Sequence, residues 1–330
     1  MPDASSSYRQ TVSDIRPGVR FSGPLLVRES NLRATTNGKA FVDLRLSDKT
    51  GIVPAKIWDP PRDKQPPAPG TLIQVEGKGD EYNGHIQLKI DSLSAVPADA
   101  GYPLEEFVVA APEKPEDMLR EIRATAEALR DEAYRTLATA FLDAAEATGK
   151  LLTAPAAKAM HHAERGGLLH HTVMMLRVAK KLCEVYRFLD KDLLYAGVMV
   201  HDLAKLAEMK SDELGAVEGY TRDGKLIGHI IRGVTTIDRL GREKGVPTEK
   251  SQLLQHLVLS HHGDPEFGSP VPPLCPEALV LSTIDRLDAH LFAMVDALDK
   301  TEPGGFSAPV FALGKIELYR PSITPPAPEA

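Results

Sequence analysis

Cysteine is almost missing from this chain: among 330 residues only Cys183 and Cys275 occur, one in a helical pattern and one in a proline-rich loop. Two such residues build neither a disulfide framework nor a cysteine zinc site, and a reducing compartment is expected. No apolar stretch reaches the about eighteen residues that span a bilayer, which excludes a membrane-spanning helix. The segment Met1 to Ser7 lacks the basic and apolar regions of a secretory leader and reads as part of a short disordered lead. A cytoplasmic location with no membrane partner is therefore expected. No internal repeat of the solenoid or propeller kind is visible. What is present is a globular composition, 42% hydrophobic, in a chain longer than one ordinary domain and able to bury sizeable cores.

Histidines and carboxylates are arranged unusually. Between residues 171 and 285 lie His171, the pair His201-Asp202, His229, the pair His261-His262 and Asp285. Leu194, Val198, His201 and Lys205 recur at spacings of three and four, so His201 continues an apolar helical stripe. An imidazole, a carboxylate and an ammonium thus enter an apolar interior together, where such groups persist only if paired, hydrogen-bonded or metal-bound. His171 shares a face with Met174, Met175, Val178 and Leu182 on a helix opened by Gly166-Gly167. His229 lies in an apolar context, His261-His262 ends a helix from Leu253 to Ser260 before the stop residue Gly263, and Asp285 follows Leu281 by one turn. One histidine on an apolar face is commonly just a hydrogen-bonded core residue. That explanation would have to hold separately for each of these positions. Nitrogen and oxygen donors converging from several helices are what divalent transition metals select, so a metal centre is expected. His170, His256 and His290 read as neighbours or surface residues.

The first hundred residues have a different texture. Val42, Leu44 and Leu46 alternate with Phe41, Asp43 and Arg45, and Ser47 to Gly51 turns the chain into Ile52 to Trp58, which predicts a hairpin. Thr71 to Lys78 and His85 to Leu93 flank Asn83-Gly84, predicting a second, and a first strand around Val19 to Val27 makes five. Five short strands in this length match an OB-fold barrel, whose oligonucleotide surface comprises strands 2 and 3 with two flanking loops. Mapped here, that face is Phe41, Arg45, Lys56 and Trp58, with Arg33, Lys39 and Tyr82 from the loops. Rings that stack on bases and cations that follow phosphates suit single strands. The alternative is that Phe41 and Trp58 close the barrel end and the cations are a solvated surface. Residues 9–64 carry eleven Lys/Arg against six Asp/Glu although the whole chain is at −7, so any attraction is local.

Pro97 to Pro115 reads as a connector, Glu116 to Ala147 as helical, and Glu302 to Gly305 as an interruption before Phe306 to Tyr319 and a loose tail. The expected organisation is α+β and multidomain: a lead (1–11), a five-stranded OB-fold barrel (12–97), a linker (98–115), an all-α bundle (116–302) and a C-terminal extension (303–330).

The order of the motifs resembles that of the HD-domain metal-dependent phosphohydrolases, and more closely the YhaM-type 3′→5′ exoribonucleases, which join an OB-fold to an HD domain. The residues that carry it are Met160 to Ala163, Gly166 to Leu169, His171-Thr172, His201 to Lys205, Gly228 to Ile230, and His261 to Gly263 running on to Glu266 to Pro270. The likeness spans about residue 12 to about residue 320. Two positions depart from it: His170 stands where an acidic residue is expected, and Ala204 replaces a common glycine. No candidate ligand is lost.

The resemblance implies a phosphodiesterase acting from the 3′ end of single-stranded RNA, and possible action on single-stranded DNA. It implies one metal at His171, His201, Asp202 and Asp285 and a second at His229, His261 and His262, with Asp202 bridging. A one-metal site at the first four residues stays open. Manganese is the expected ion, by the likeness and by the mixed imidazole and carboxylate ligation, with iron, cobalt, nickel and magnesium as alternatives. Lys205 either contacts a phosphate oxygen or the nucleophile, or bridges to a ligating carboxylate. His161 and His162 either meet the terminal nucleotide or pack at a helix boundary. Homo-oligomerisation is open. Two other functions compete: a nucleotide or cyclic-dinucleotide phosphohydrolase, although the Gly-Tyr-Pro signature of the latter does not follow His261-His262, and a non-catalytic nucleic-acid-binding protein.

Overall fold

The computed structural model describes residues 9–35, 37–60, 65–82, 85–97, 100–157, 164–212, 215, 217–263 and 265–323. The chain divides into two compact units between Ala110 and Ala111.

In the first unit the alternation read from the sequence becomes the two faces of a sheet. Val42, Leu44 and Leu46 on β2 (Ala40–Asp48) and Val53 and Ala55 on β3 (Gly51–Trp58) are buried, and they pack with Leu25, Val27, Ile73, Val75, Leu88 and Ile90. Antiparallel register sets Phe41 opposite Trp58 and Asp43 opposite Lys56 on the outer face. With β1 (Arg20–Ala34), β4 (Leu72–Tyr82) and β5 (His85–Ala95) the strands close a barrel in the order β1-β2-β3-β5-β4. The closing contact is the parallel pair β3 and β5, Ala55 against Leu88 and Lys56 against Lys89. This is the OB-fold. Strand β1 runs past the expected Val27 because it serves two neighbours: Arg20 to Leu26 pairs with β4 and Leu26 to Ala34 with β2, with an irregularity between Val27 and Glu29. The Asn83-Gly84 turn lies outside the described residues, but Tyr82 and His85 on either side of it pair directly.

Part of the stretch read as a linker belongs to the barrel. Phe107 and Val108 are buried, the Ser47 hydroxyl donates to the Phe107 carbonyl at 2.8 Å, and the Lys49 amide donates to the Glu106 carbonyl at 2.9 Å. Arg9 adds an ion pair to Glu106 at 3.0 Å and lies 4.4 Å from the centre of the Phe107 ring.

The second unit is helical. The segment 116–147, expected as one helical run, is two helices, α1 (Pro115–Glu127) and α2 (Glu132–Glu146). Asp131 caps α2 by accepting from the amides of Ala133 and Tyr134, while the Asp192 carboxylate accepts from those of Arg130 and Asp131. Side-chain acceptors thus take backbone donors that a continuous helix would need. There follow α3 (Gly167–Val185), α4 (Lys191–Val200), α5 (Lys205–Glu208), the short hairpin β6 (Met209–Ser211) and β7 (Val217–Tyr220), α6 (Arg222–Leu226), α7 (Gly228–Lys244), α8 (Thr248–Ser260) and α9 (Pro276–Asp299). Helix α4 is apolar on nearly every side and buries Leu194, Val198 and Val200 at the centre of a core that also holds Ile122, Leu137, Leu176, Leu257 and Leu281. Past α9, Phe306 pairs with Tyr319 and Val310 with Ile316, and the Arg320 guanidinium donates to the carbonyls of Leu298 and Thr301. Among the described residues no helix is long and apolar enough to cross a membrane.

Candidate metal centre

Five helices bring the expected ligands together. His171 lies in the second turn of α3, His201 and Asp202 directly follow α4, His229 is the second residue of α7, His261 and His262 directly follow α8, and Asp285 sits midway along α9. Asp202 is at the centre. Its Oδ2 lies 3.4 Å from His201 Nε2, 3.8 Å from His171 Nε2 and 2.7 Å from Lys205 Nζ. Its Oδ1 faces the other way, 3.5 Å from His229 Nε2 and 3.7 Å from His261 Nε2. Asp285 Oδ1 approaches His171 Nε2 at 3.3 Å. Ligand-type atoms cluster within 4.8 Å of one another in the sets His171, His201, Asp202 and His229, His261, His262, with a third set, His201, His261, Asp285, between them. Ring centres of His261 and His262 are 4.2 Å apart.

The outward nitrogens explain why the inward ones are available. Nδ1 of His201 meets the Val198 carbonyl at 2.9 Å and Nδ1 of His261 meets the Val258 carbonyl at 2.7 Å. A carbonyl only accepts, so each Nδ1 carries the proton and each Nε2 presents a lone pair. Nδ1 of His171 meets Asp288 Oδ2 at 2.7 Å, and Nδ1 of His229 meets Glu208 Oε2 at 3.0 Å. Carboxylates and carbonyls on the far nitrogen are how metal-binding imidazoles are oriented. Nε2 of His201, His229 and His261 and Oδ1 of Asp202 are all buried, with no hydrogen-bond partner among the described residues. Buried polar atoms are almost always satisfied, and four convergent exceptions fit a divalent cation.

The electrostatics agree. Burial opposes the charge on Asp202, but Lys205 and then His201 outweigh it and hold the carboxyl well below its ordinary range. Burial likewise raises Asp285, and the hydrogen bond from His171 overcomes it, so this carboxyl is also lowered. Burial is the main cause that lowers His261 well below the usual imidazole value, with the neighbouring His201 adding to it, and burial lowers His262 too. Anionic carboxylates and neutral imidazoles are the forms that bind metal. His171 differs. Burial would lower it, but Asp285 and Asp288 raise it to about 9, so a metal must displace a proton there.

Sequence reasoning did not assign Glu208 or Asp288. Asp288 was visible as the residue three past Asp285, and Glu208 as the residue three past Lys205. His256 accepts from the Leu274 amide at 2.9 Å and His170 pairs with Glu164 at 2.8 Å, so both are neighbours in the fold. His161 and His162 lie outside the described residues.

On the barrel, the Phe41 and Trp58 rings pack at 5.1 Å between centres with their planes tilted by 32°, and Lys56 Nζ lies 5.7, 5.6 and 5.2 Å from the centres of Phe41, Trp58 and Tyr82. Trp58 and Tyr82 are exposed. Arg45 follows Phe41 and Asp43 along the outer face of β2, Lys39 is exposed just before it, and Arg33 is paired with Asp43 at 3.2 Å.

The barrel and the histidine-aspartate centre together define a class. The family profile described as "HD domain" matches residues 168–290, which contain all seven clustered side chains, and HD domains are metal-dependent. Over 310 residues the chain is 38% identical to the "3′-5′ exoribonuclease YhaM" of Shouchella clausii (strain KSM-K16), covering 93% of this chain and 95% of that one. It is 36% identical over 301 residues to the protein of that name from Bacillus subtilis (strain 168), covering 91% and 94%. Among solved structures, the second OB-fold domain of replication protein A from Methanococcus maripaludis matches 28% of this chain and 98% of its own, at 15% identity and a TM-score of 0.24. The chain belongs to the YhaM family of 3′-5′ exoribonucleases, and it is a metal-dependent hydrolase of phosphodiester bonds.

Proposed function

We propose that this chain is a two-metal 3′→5′ exoribonuclease that shortens single-stranded RNA, with the outer face of the barrel holding the strand. The observation that carries the reading is the division of the Asp202 carboxylate, one oxygen toward His171 and His201 and the other toward His229 and His261. His171, His201 and Asp285 would complete one site with Asp202, and His229, His261 and His262 the other. Bound divalent ions, for which we favour manganese, would supply an activated water and neutralise the charge that develops on the attacking and leaving oxygens.

The side chains do the rest. Asp202 keeps its negative charge at neutral pH and holds both halves in register. Lys205, largely enclosed and 2.7 Å from Asp202 Oδ2, holds that carboxylate in place and adds positive charge where a phosphate would lie. His161 and His162 remain candidates for contact with the terminal nucleotide. On the barrel, Phe41, Trp58 and Tyr82 offer stacking surfaces around Lys56, with Arg33, Lys39 and Arg45 as phosphate partners. Homo-oligomerisation is part of the reading: Leu287, Leu291 and Val295 form an exposed stripe at four-residue spacing on α9, and light scattering that finds only monomer would remove that part.

The test is a 5′-labelled single-stranded RNA and its DNA counterpart, incubated with metal-stripped protein before and after adding manganese. A ladder shortening from the 3′ end, dependent on metal and faster on RNA, is expected. Hydrolysis of free nucleotides or cyclic dinucleotides in preference to the oligomers, or tight binding without turnover, would overturn the proposal.

A further inference from the structure

The four imidazoles of the centre with assigned outward partners are held in two different ways. His201 and His261 rest on carbonyls three residues back in their own chain, Val198 and Val258, contacts that the local helix supplies. His171 and His229 rest instead on side chains from other elements, Asp288 and Glu208. Of these two anchors, Glu208 grips its histidine twice. Its Oε2 lies 3.0 Å from the ring Nδ1 of His229, and its Oε1 accepts the backbone amide of the same residue at 3.2 Å. One carboxylate therefore fixes both the main chain and the ring plane of His229.

The surroundings are built to allow that double grip. Helix α7 begins at Gly228 with φ +75°, a left-handed conformation that side chains rarely adopt, and the preceding Ile227 gives no side-chain cap. Glu208 takes up an amide that this helix start would otherwise leave open. It is the last residue of α5, and Asp202 just ahead of that helix, Lys205 at its start and Glu208 at its end follow one another at intervals of three: the central carboxylate, its paired cation and the clamp on His229. Behind it, the Thr221 amide donates to the Glu208 carbonyl at 2.9 Å, tying the base of the β6–β7 hairpin to the same residue. A side chain at Gly224 would come within 2.3 Å of that carbonyl, so the packing there admits only glycine. The Glu208 side chain is 14% exposed, too enclosed for a loose surface pair.

We infer that Glu208 is a positioning residue for one metal only: it sets the affinity of the site formed by His229, His261 and His262, while Asp288 sets that of the site formed by His171, His201 and Asp285. The inference rests on the two-metal reading. It goes beyond that reading in giving each site its own carboxylate, so that the two can be tuned separately. A role for Glu208 in the stability of the whole helical unit would weaken both metals alike.

The experiment titrates manganese into the metal-stripped full chain and counts ions bound. It compares the parent, Glu208→Ala, Glu208→Gln and Asp288→Ala, each also made in a His229→Ala background. The parent should bind two ions. Glu208→Ala should weaken one ion about 10- to 100-fold, the usual cost of losing a supporting partner, and leave the other at parental affinity. Glu208→Gln, with one amide oxygen to satisfy two donors, should fall between. In the His229→Ala background, Asp288→Ala should weaken the remaining ion and Glu208→Ala should not. The inference is overturned if Glu208→Ala binds both ions as tightly as the parent, or weakens both equally, the pattern of a general fold defect. A parent that binds a single ion overturns the two-metal reading itself, a result visible before any variant is compared.

Discussion

Asp202 is the residue on which the centre turns, because its two oxygens serve different histidines and Lys205 neutralises it from one side. Replacing it with alanine leaves Lys205 and four imidazoles without their common anion. Asp202→Ala should lower manganese-dependent RNA hydrolysis by well over about a hundred-fold, more than the loss of a supporting partner costs, measured under single-turnover conditions. A variant that keeps its full rate and both metals would contradict the bridging role. His171 gives a pH signature. Its pKa is raised from 6.5 to about 9 in the folded, metal-free chain, so the interaction stabilises most fully below about 6.5 and is lost as pH rises through 9. The melting temperature of metal-stripped protein should therefore fall across that window, with the effect absent in His171→Gln. Over the same window metal should bind more tightly as pH rises, since the proton it must displace leaves by itself. At this scale the sequence was informative wherever a ligand interrupted an apolar helical pattern, as at His201 and His261. It showed Glu208 and Asp288 only as acids one turn past Lys205 and Asp285, without a role, since a carboxylate that orients a histidine from another element has the same local appearance as any solvated acid.

Among the elements, the barrel strands were legible because Val42, Leu44 and Leu46 alternate with outward residues, and a period of two has one structural meaning in a half-buried strand. The division between α1 and α2 was not legible. It depends on Asp192, some sixty residues away, taking the amides of Arg130 and Asp131. Nor was the packing of Phe107 and Val108 against the barrel, since a proline-bearing stretch carries no period to read. The outer face of β2 and β3 makes its own prediction. Phe41→Ala or Trp58→Ala should each weaken binding of a single-stranded RNA by about 1–3 kcal/mol if a base stacks there, seen as a higher KM with kcat little changed. Unchanged binding in both variants would mean that the rings only close the barrel.

For the molecule as a whole, charge constrains how a strand is held. The chain is at −7, yet residues 9–64 carry an excess of cations, so attraction to nucleic acid must come from a small patch. Four cations at the proposed face give a logarithmic salt slope of about −3 for single strands, and a shallower one if Arg33 stays with Asp43. A slope steeper than about −6 would require a phosphate-binding surface elsewhere. The two halves of the metal centre come from helices spread along the second unit, from α3 to α9, so metal binding and the stability of that unit should be linked. The most direct test of the account is anomalous diffraction at the manganese edge from crystals of the full chain grown with manganese. Two peaks flanking the Asp202 carboxylate, one beside His171, His201 and Asp285 and the other beside His229, His261 and His262, are expected. A single peak, or none within reach of Asp202, would contradict it.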